Sequence, residues 1–169
     1  HWLGAKTLAQ AVEEALRGGA TMVQLREKNL DHDRFLAEAL AIKSVAKRYG
    51  APLIINDRVE IALACDADGV HLGQDDADPR AARLRLGPRK IIGVSAHSAA
   101  EAVAAERDGA DYLGSGALFP TDTKDNAAAL PLGELKRIAA AVSIPVVGIG
   151  GVTADNMPQL KGTGLCGAA

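Results

Sequence analysis

The stretch that decides the fold runs Pro52-Leu53-Ile54-Ile55-Asn56-Asp57-Arg58 and continues through Ala67-Asp68-Gly69-Val70-His71-Leu72-Gly73-Gln74-Asp75-Asp76. A short apolar run of β-type residues ends in oxygen-bearing side chains, helical spacing follows over 58–64, and an Ala-Asp step introduces a second apolar run. That second run again ends in an amide and carboxylates. This is one strand-helix-strand unit, apolar where it would be buried and polar after each strand.

The same texture extends in both directions. Runs of β type occupy 21–25, 52–55, 69–72, 91–94, 112–115, 145–149 and, more weakly, 164–168. Helical spacing fills 6–17, 31–49, 58–64, 79–86, 98–108, 132–142 and 154–160. Asp31, Asp78, Ser98 and Thr153 are placed to cap helix starts, Pro79 suits a first helical turn, and Gly18, Gly50, Gly87 and Gly109 suit helix ends. Gly19-Ala20, Ala67-Asp68 and Gly109-Ala110-Asp111 precede strands in the same way, which predicts one recurring helix-to-strand turn with no domain boundary across residues 1–169. Polar residues after almost every strand, and no GxGxxG after the first, predict a (β/α)8 TIM barrel in the α/β class rather than an open doubly wound sheet. The order of elements predicts a barrel lacking its first strand and last helix, with two exposed sheet edges and hence poor solubility or domain swapping.

Composition narrows the function. The chain has 19 basic and 21 acidic residues, a net charge of −2 and 3% aromatics, which excludes the charge footprint and stacking surfaces of a nucleic-acid binder. No apolar run approaches a bilayer span and no leader pattern opens the sequence. Cys65 and Cys166 have no partner at metal-ligand spacing and cannot build a disulfide framework, which suits a reducing cytoplasm. Small molecules are the expected partners.

The strand ends carry the chemistry. Alternation in Val23-Gln24-Leu25-Arg26-Glu27-Lys28 sends Gln24, Arg26 and Lys28 to one side, where they would face an anionic ligand or simply be solvated. Asn56 with Asp57, and Asp75 with Asp76, offer carboxylate oxygen of the kind Mg²⁺ shares with phosphate; Asp57 could instead cap the following helix. Ser95, in Gly93-Val94-Ser95-Ala96-His97, can hydrogen-bond a ligand but has no acid-base partner at fixed spacing. His71 and His97 stand alone, suiting packing or capping better than catalysis. The long connection over 116–131 holds Phe119-Pro120-Thr121-Asp122-Thr123-Lys124, an anion site that could close as a lid, and Gly150-Gly151 would let a phosphate reach backbone N–H groups.

Six motifs in this order resemble the thiamine phosphate synthases, which join an aminopyrimidine diphosphate to a thiazole phosphate. They are the segments 23–28, 55–57, 69–76, 93–97, 119–124 and 149–151. The resemblance implies a Mg²⁺-dependent transferase working through a dissociative, carbocation-like step. It implies Gln24, Arg26, Lys28 and Asn56 on the pyrimidine diphosphate, Asp57 and Asp76 as Mg²⁺ ligands, and Ser95 beside the pyrimidine. Thr121, Thr123 and the backbone of Gly151, or less favourably Gly150, would hold the thiazole phosphate, with Lys124 on the diphosphate. Ser95, Lys124, Arg26 and Lys28 are thus the expected catalytic set. The family's second phosphate-binding segment would fall beyond Ala169. A thiazole tautomerase would not need these cations and carboxylates, and a phosphate-binding isomerase or epimerase shares only the glycine pair. A non-catalytic ligand-binding relative stays open, as does a homo-oligomer.

Overall fold

The structure is a computed structural model, described over residues 5–121 and 129–169. Helices and parallel strands alternate: α1 (Leu8–Arg17), β1 (Val23–Leu25), α2 (His32–Arg48), β2 (Leu53–Asn56), α3 (Val59–Ala64), β3 (Gly69–Leu72), α4 (Pro79–Leu86), β4 (Ile91–Ser95), α5 (Ala99–Arg107), β5 (Tyr112–Ser115), α6 (Leu132–Ala141), β6 (Val146–Gly148) and β7 (Gly167–Ala168). The α/β class is therefore as expected, and the seven β-type runs each deliver a strand among the described residues.

The chain forms two compact units, residues 1–71 with 84–91, and residues 72–83 with 92–169. In the first, β1 pairs with β2 and β2 with β3, in registers such as Gln24 with Ile54 and Asn56 with His71. In the second, β4, β5, β6 and β7 pair successively, Ser95 with Gly114 and Ser115 with Gly148 among the partners.

Each unit has its own apolar reason to fold. Helix α2 buries Phe35, Ala39, Ile42, Val45 and Ala46, a stripe at three- and four-residue spacing that the sequence pattern required. Phe35 and Ile42 are almost wholly excluded from solvent, and each such side chain contributes about 1.5–3 kcal/mol relative to exposure. Strand β2 is buried along its whole length, as a strand covered on both faces should be. In the second unit Ile92, Leu113, Leu135 and Ile138 fill the equivalent role between strands and the α5–α6 pair.

Local chemistry sets the boundaries. Asp31 and Ser98 cap α2 and α5, accepting from the N–H groups of Arg34 and Glu101. Thr7 caps α1 through a reciprocal capping box with Gln10, so the helix starts two residues later than its spacing predicts. Gly50, Gly87 and Gly109 do adopt positive φ after their helices, but at the end of α1 the left-handed residue is Gly19 and Gly18 remains helical. The helix expected over 154–160 shrinks to a 3-10 turn, Met157–Leu160. Thr153 and Asn156 bond each other's backbone N–H groups there, and Pro158 has no N–H for a longer α-helical ladder.

The recurring turn before the strands has a physical purpose. Asp68 accepts from the N–H of Leu53 at 2.8 Å, and Asp111 accepts from the N–H of Ile92 at 2.7 Å. In both cases the aspartate ahead of one strand pairs the first free N–H of the strand before it, which would otherwise be left unsatisfied. Glu106, within α5, receives the N–H groups of Ser143 and Ile144 in the loop that leads into β6.

Candidate active site

In the first unit, Val23 and Leu25 turn toward apolar neighbours, Val23 against Leu16, Val45 and Ala51, while Gln24 is exposed. The alternation predicted for 23–28 therefore holds through the strand. Arg26 and Lys28 lie past its end, Arg26 half-buried and Lys28 exposed. Next to them, Glu38 on α2 has its carboxyl pushed up, first by burial and then by the charge of Glu27.

Asn56 ends β2 and is nearly buried. Asp57 follows with φ of 61°, its N–H donating to the carbonyl of His71 at 2.8 Å. Asp66 shares this left-handed conformation, which aspartate adopts more readily than most residues other than glycine. The N-cap of α3 is Arg58, whose side chain makes no capping hydrogen bond. Arg58 instead pairs with Glu60 and lies over the Phe35 ring.

In the second unit the loop after β3 is folded on itself. Asp76 Oδ2 accepts from the N–H of Gly73 at 2.6 Å, and Gln74 Nε2 donates to the carbonyl of Ser95 at 2.6 Å. Asp75 is exposed, while Asp78 accepts from the N–H of Arg80 as a helix cap. Ser95 is half-buried at the end of β4. His97 precedes the Ser98 N-cap of α5, and its backbone N–H and its ring Nδ1 both meet Glu101 Oε2, at 2.8 and 3.2 Å.

After β5 and β6 two loops are zipped together. The N–H of Leu118 bonds to Ile149 and that of Phe119 to Gly150, both at 3.0 Å. Gly151, with φ of 66°, lies so close that an added Cβ would stand 2.5 Å from the Pro120 carbonyl and 2.7 Å from that of Phe119. Asn156 Nδ2 holds the Gly151 carbonyl at 2.8 Å. Gly151 and the half-buried Thr121 thus belong to one locale, as their assignment to a common phosphate requires. Thr123 and Lys124 lie outside the described residues.

Asp57 and Asp76 supply hard carboxylate oxygen. Among the described residues no three His, Cys, Asp or Glu side chains gather into a metal cage. A carboxylate oxygen of this kind is the donor type that Mg²⁺ takes, together with substrate phosphate and water. No local pattern marks Gln74, whose tie to Ser95 joins residues 21 apart in sequence. No helix among the described residues is long and apolar enough to cross a membrane.

A family model described as thiamine monophosphate synthase matches residues 1–169. The chain is 51% identical over 167 residues to a thiamine-phosphate synthase of Ruminiclostridium cellulolyticum, covering 99% of this chain and 80% of the relative. It is 52% identical over 162 residues to that of Clostridium acetobutylicum, covering 96% and 77%. Among solved structures it is similar to a thiamine phosphate pyrophosphorylase from Pyrococcus furiosus, with a TM-score of 0.88 and 42% identity over 97% of this chain and 79% of the other.

Proposed function

The chain belongs to the thiamine monophosphate synthase family and is a transferase, and from that premise we propose that it joins an aminopyrimidine diphosphate to a thiazole phosphate with Mg²⁺ bound to Asp57 and Asp76. The observation that carries the reading is positional. Gln24 lies within β1 and Arg26 and Lys28 follow it, Asn56 ends β2 and Asp57 follows it, Asp76 follows β3, Ser95 ends β4, Thr121 follows β5 and Gly151 follows β6. Carboxyl ends of parallel strands are where α/β enzymes assemble their sites. We assign these strands to one (β/α)8 barrel domain working in the cytoplasm on small-molecule substrates.

The reaction breaks the bond between the exocyclic methylene of the pyrimidine and its diphosphate oxygen, and the electron pair leaves with the diphosphate. The pyrimidine amino group feeds electrons to the resulting cation, which the thiazole nitrogen captures with its lone pair. Diphosphate and thiamine phosphate are the products. Bound Mg²⁺ would supply electrophilic neutralisation of the departing diphosphate. Arg26, Lys28 and Lys124 add positive charge where negative charge accumulates, and so stabilise the transition state more than the bound reactant. Gln24 and Asn56 orient the diphosphate, Ser95 orients the pyrimidine, and Thr121, Thr123 and Gly151 hold the thiazole phosphate so that its nitrogen stands in line. No side chain has to act as a nucleophile.

The test is product formation from the two substrates by the wild type and by Asp57→Asn, read by mass spectrometry. Asp57→Asn tolerates the left-handed backbone but removes the charge, so a loss of about 10²-fold or more at unchanged melting is expected. Wild-type turnover in the variant would remove Asp57 from the machinery.

A further inference from the structure

We propose that Gln74 is a positioning residue, which holds the Asp76 carboxylate in its metal-binding place by strapping the loop after β3 to the end of β4. The inference rests on the assignment of Asp76 as a Mg²⁺ ligand made above.

Three observations meet at this loop. Gln74 is exposed, yet its Nε2 donates to the Ser95 carbonyl at 2.6 Å, a bond across 21 residues of sequence. The Ser95 backbone is itself well anchored, because its strand pairs with β5 in register and the next N–H, that of Ala96, bonds to the Gly114 carbonyl at 2.9 Å. The strap therefore ties a loop to a rigid element. Secondly, the two residues flanking Gln74 at short range complete a closed turn: Asp76 Oδ2 takes the Gly73 N–H at 2.6 Å and the Asp76 N–H reaches the Gly73 carbonyl at 3.3 Å. The orientation of the Asp76 side chain is thus set by the loop backbone, and whatever places the loop places the carboxylate.

Thirdly, apolar packing does not support the loop from behind. A cavity of about 120 Å³ lies against it, lined by Gly73, Gln74, Asp76, Pro79, Val94 and Ala105 among others, with room for several waters. A loop without close-packed neighbours loses little dispersion energy on moving, so its position depends on its polar ties. The loop leaves β3 at Gly73 and is fixed downstream by Asp78 at the start of α4; between these ends Gln74 ties it to β4. A metal ligand held within a few tenths of an ångström by surrounding hydrogen bonds binds more tightly than one left free, and loss of such support commonly costs about 10-fold or more in metal affinity.

The experiment is a Mn²⁺ titration of the substrate-free protein followed by water-proton relaxation, with Mg²⁺-dependent turnover measured alongside. Wild type, Q74L, Q74M, G73A and D76N are compared. Q74L and Q74M keep bulk and remove the donor; G73A places a Cβ 2.8 Å from Asp76 Oδ2 and so displaces the carboxylate directly. D76N should weaken Mn²⁺ binding most, with Q74L, Q74M and G73A weakening it about 10-fold or more. In the glutamine variants the turnover lost at low Mg²⁺ should return at high Mg²⁺, with the KM for thiazole phosphate unchanged. Glutamine variants that melt lower but bind Mn²⁺ like the wild type would reduce Gln74 to a structural residue and overturn the proposal. If D76N itself binds Mn²⁺ like the wild type, the metal assignment falls and the proposal falls with it, an outcome distinct from the first.

Discussion

Replacing Gly151 by alanine tests the phosphate corner at its tightest point. The glycine has φ of 66°, and a Cβ there would meet the carbonyl oxygens of Pro120 at 2.5 Å and Phe119 at 2.7 Å, and the Phe119 carbonyl carbon at 2.9 Å. All three are backbone atoms, so the obstruction cannot be relieved by a rotamer change. The left-handed conformation costs an alanine about 1–2 kcal/mol, and forcing a methyl group into packed surroundings adds about 1–3 kcal/mol. At about 2–4 °C per kcal/mol for a chain of this size, the melting temperature should fall by roughly 4–20 °C. The displaced atoms carry the loop that leads directly into Thr121, so the KM for thiazole phosphate should rise more than the KM for the aminopyrimidine diphosphate. Calorimetric melting and steady-state kinetics with each substrate varied separately would read both effects. A variant that melts like the wild type would refute the packing argument. One that melts lower but raises both KM values equally would refute the assignment of this corner to the thiazole phosphate.

Lys124→Ala should lower turnover by about 10²–10³-fold, the usual effect of removing one transition-state charge partner, with the melt unchanged; normal turnover would strike it from the catalytic set. Asp111→Ala should cost about 1–3 kcal/mol because the Ile92 N–H loses its acceptor, and Asp111→Asn, which still offers an oxygen, should recover most of this in chemical denaturation. Equal destabilisation by both variants would show that the Arg83 ion pair, not the N–H acceptor, is what counts. Asp66 is held at a pKa of about 2, below its usual 3.8, by Lys90 and Lys43. Its contribution is therefore full above about pH 4 and is lost as pH falls toward about 2. The gap in melting temperature between the wild type and Asp66→Asn should be constant near neutrality and close over that acid window; a gap that persists to pH 2 would contradict the ion-pair origin.

Strand and helix positions were readable in the sequence because burial imposes a period: the β2 run had to be apolar throughout, and α2 had to repeat every three or four residues. The aspartates ahead of β3 and β5 were visible as a repeated step, although their role as acceptors for the preceding strand depends on pairings that no local pattern encodes. The weakest expected helix failed where Pro158 and the Thr153–Asn156 pair favour a tighter turn. Among the candidate site residues, Asn56, Asp57, Asp76, Ser95 and Gly151 fall at strand ends or in the loops that follow, while Gln24 lies within β1. The sequence could not show that Asp57 is left-handed, that the Gly151 backbone presses on Phe119 and Pro120, or that Gln74 ties two loops. Those are properties of three-dimensional neighbours.

Formation of thiamine phosphate by this chain, from the aminopyrimidine diphosphate and thiazole phosphate, with Mg²⁺ and then with a chelator, tests the proposed chemistry most directly. Product that appears with Mg²⁺ and disappears with chelator is the predicted result. No product from folded protein that still binds either substrate would contradict the catalytic assignment and leave a ligand-binding member of the family; product undiminished by chelator would contradict the metal.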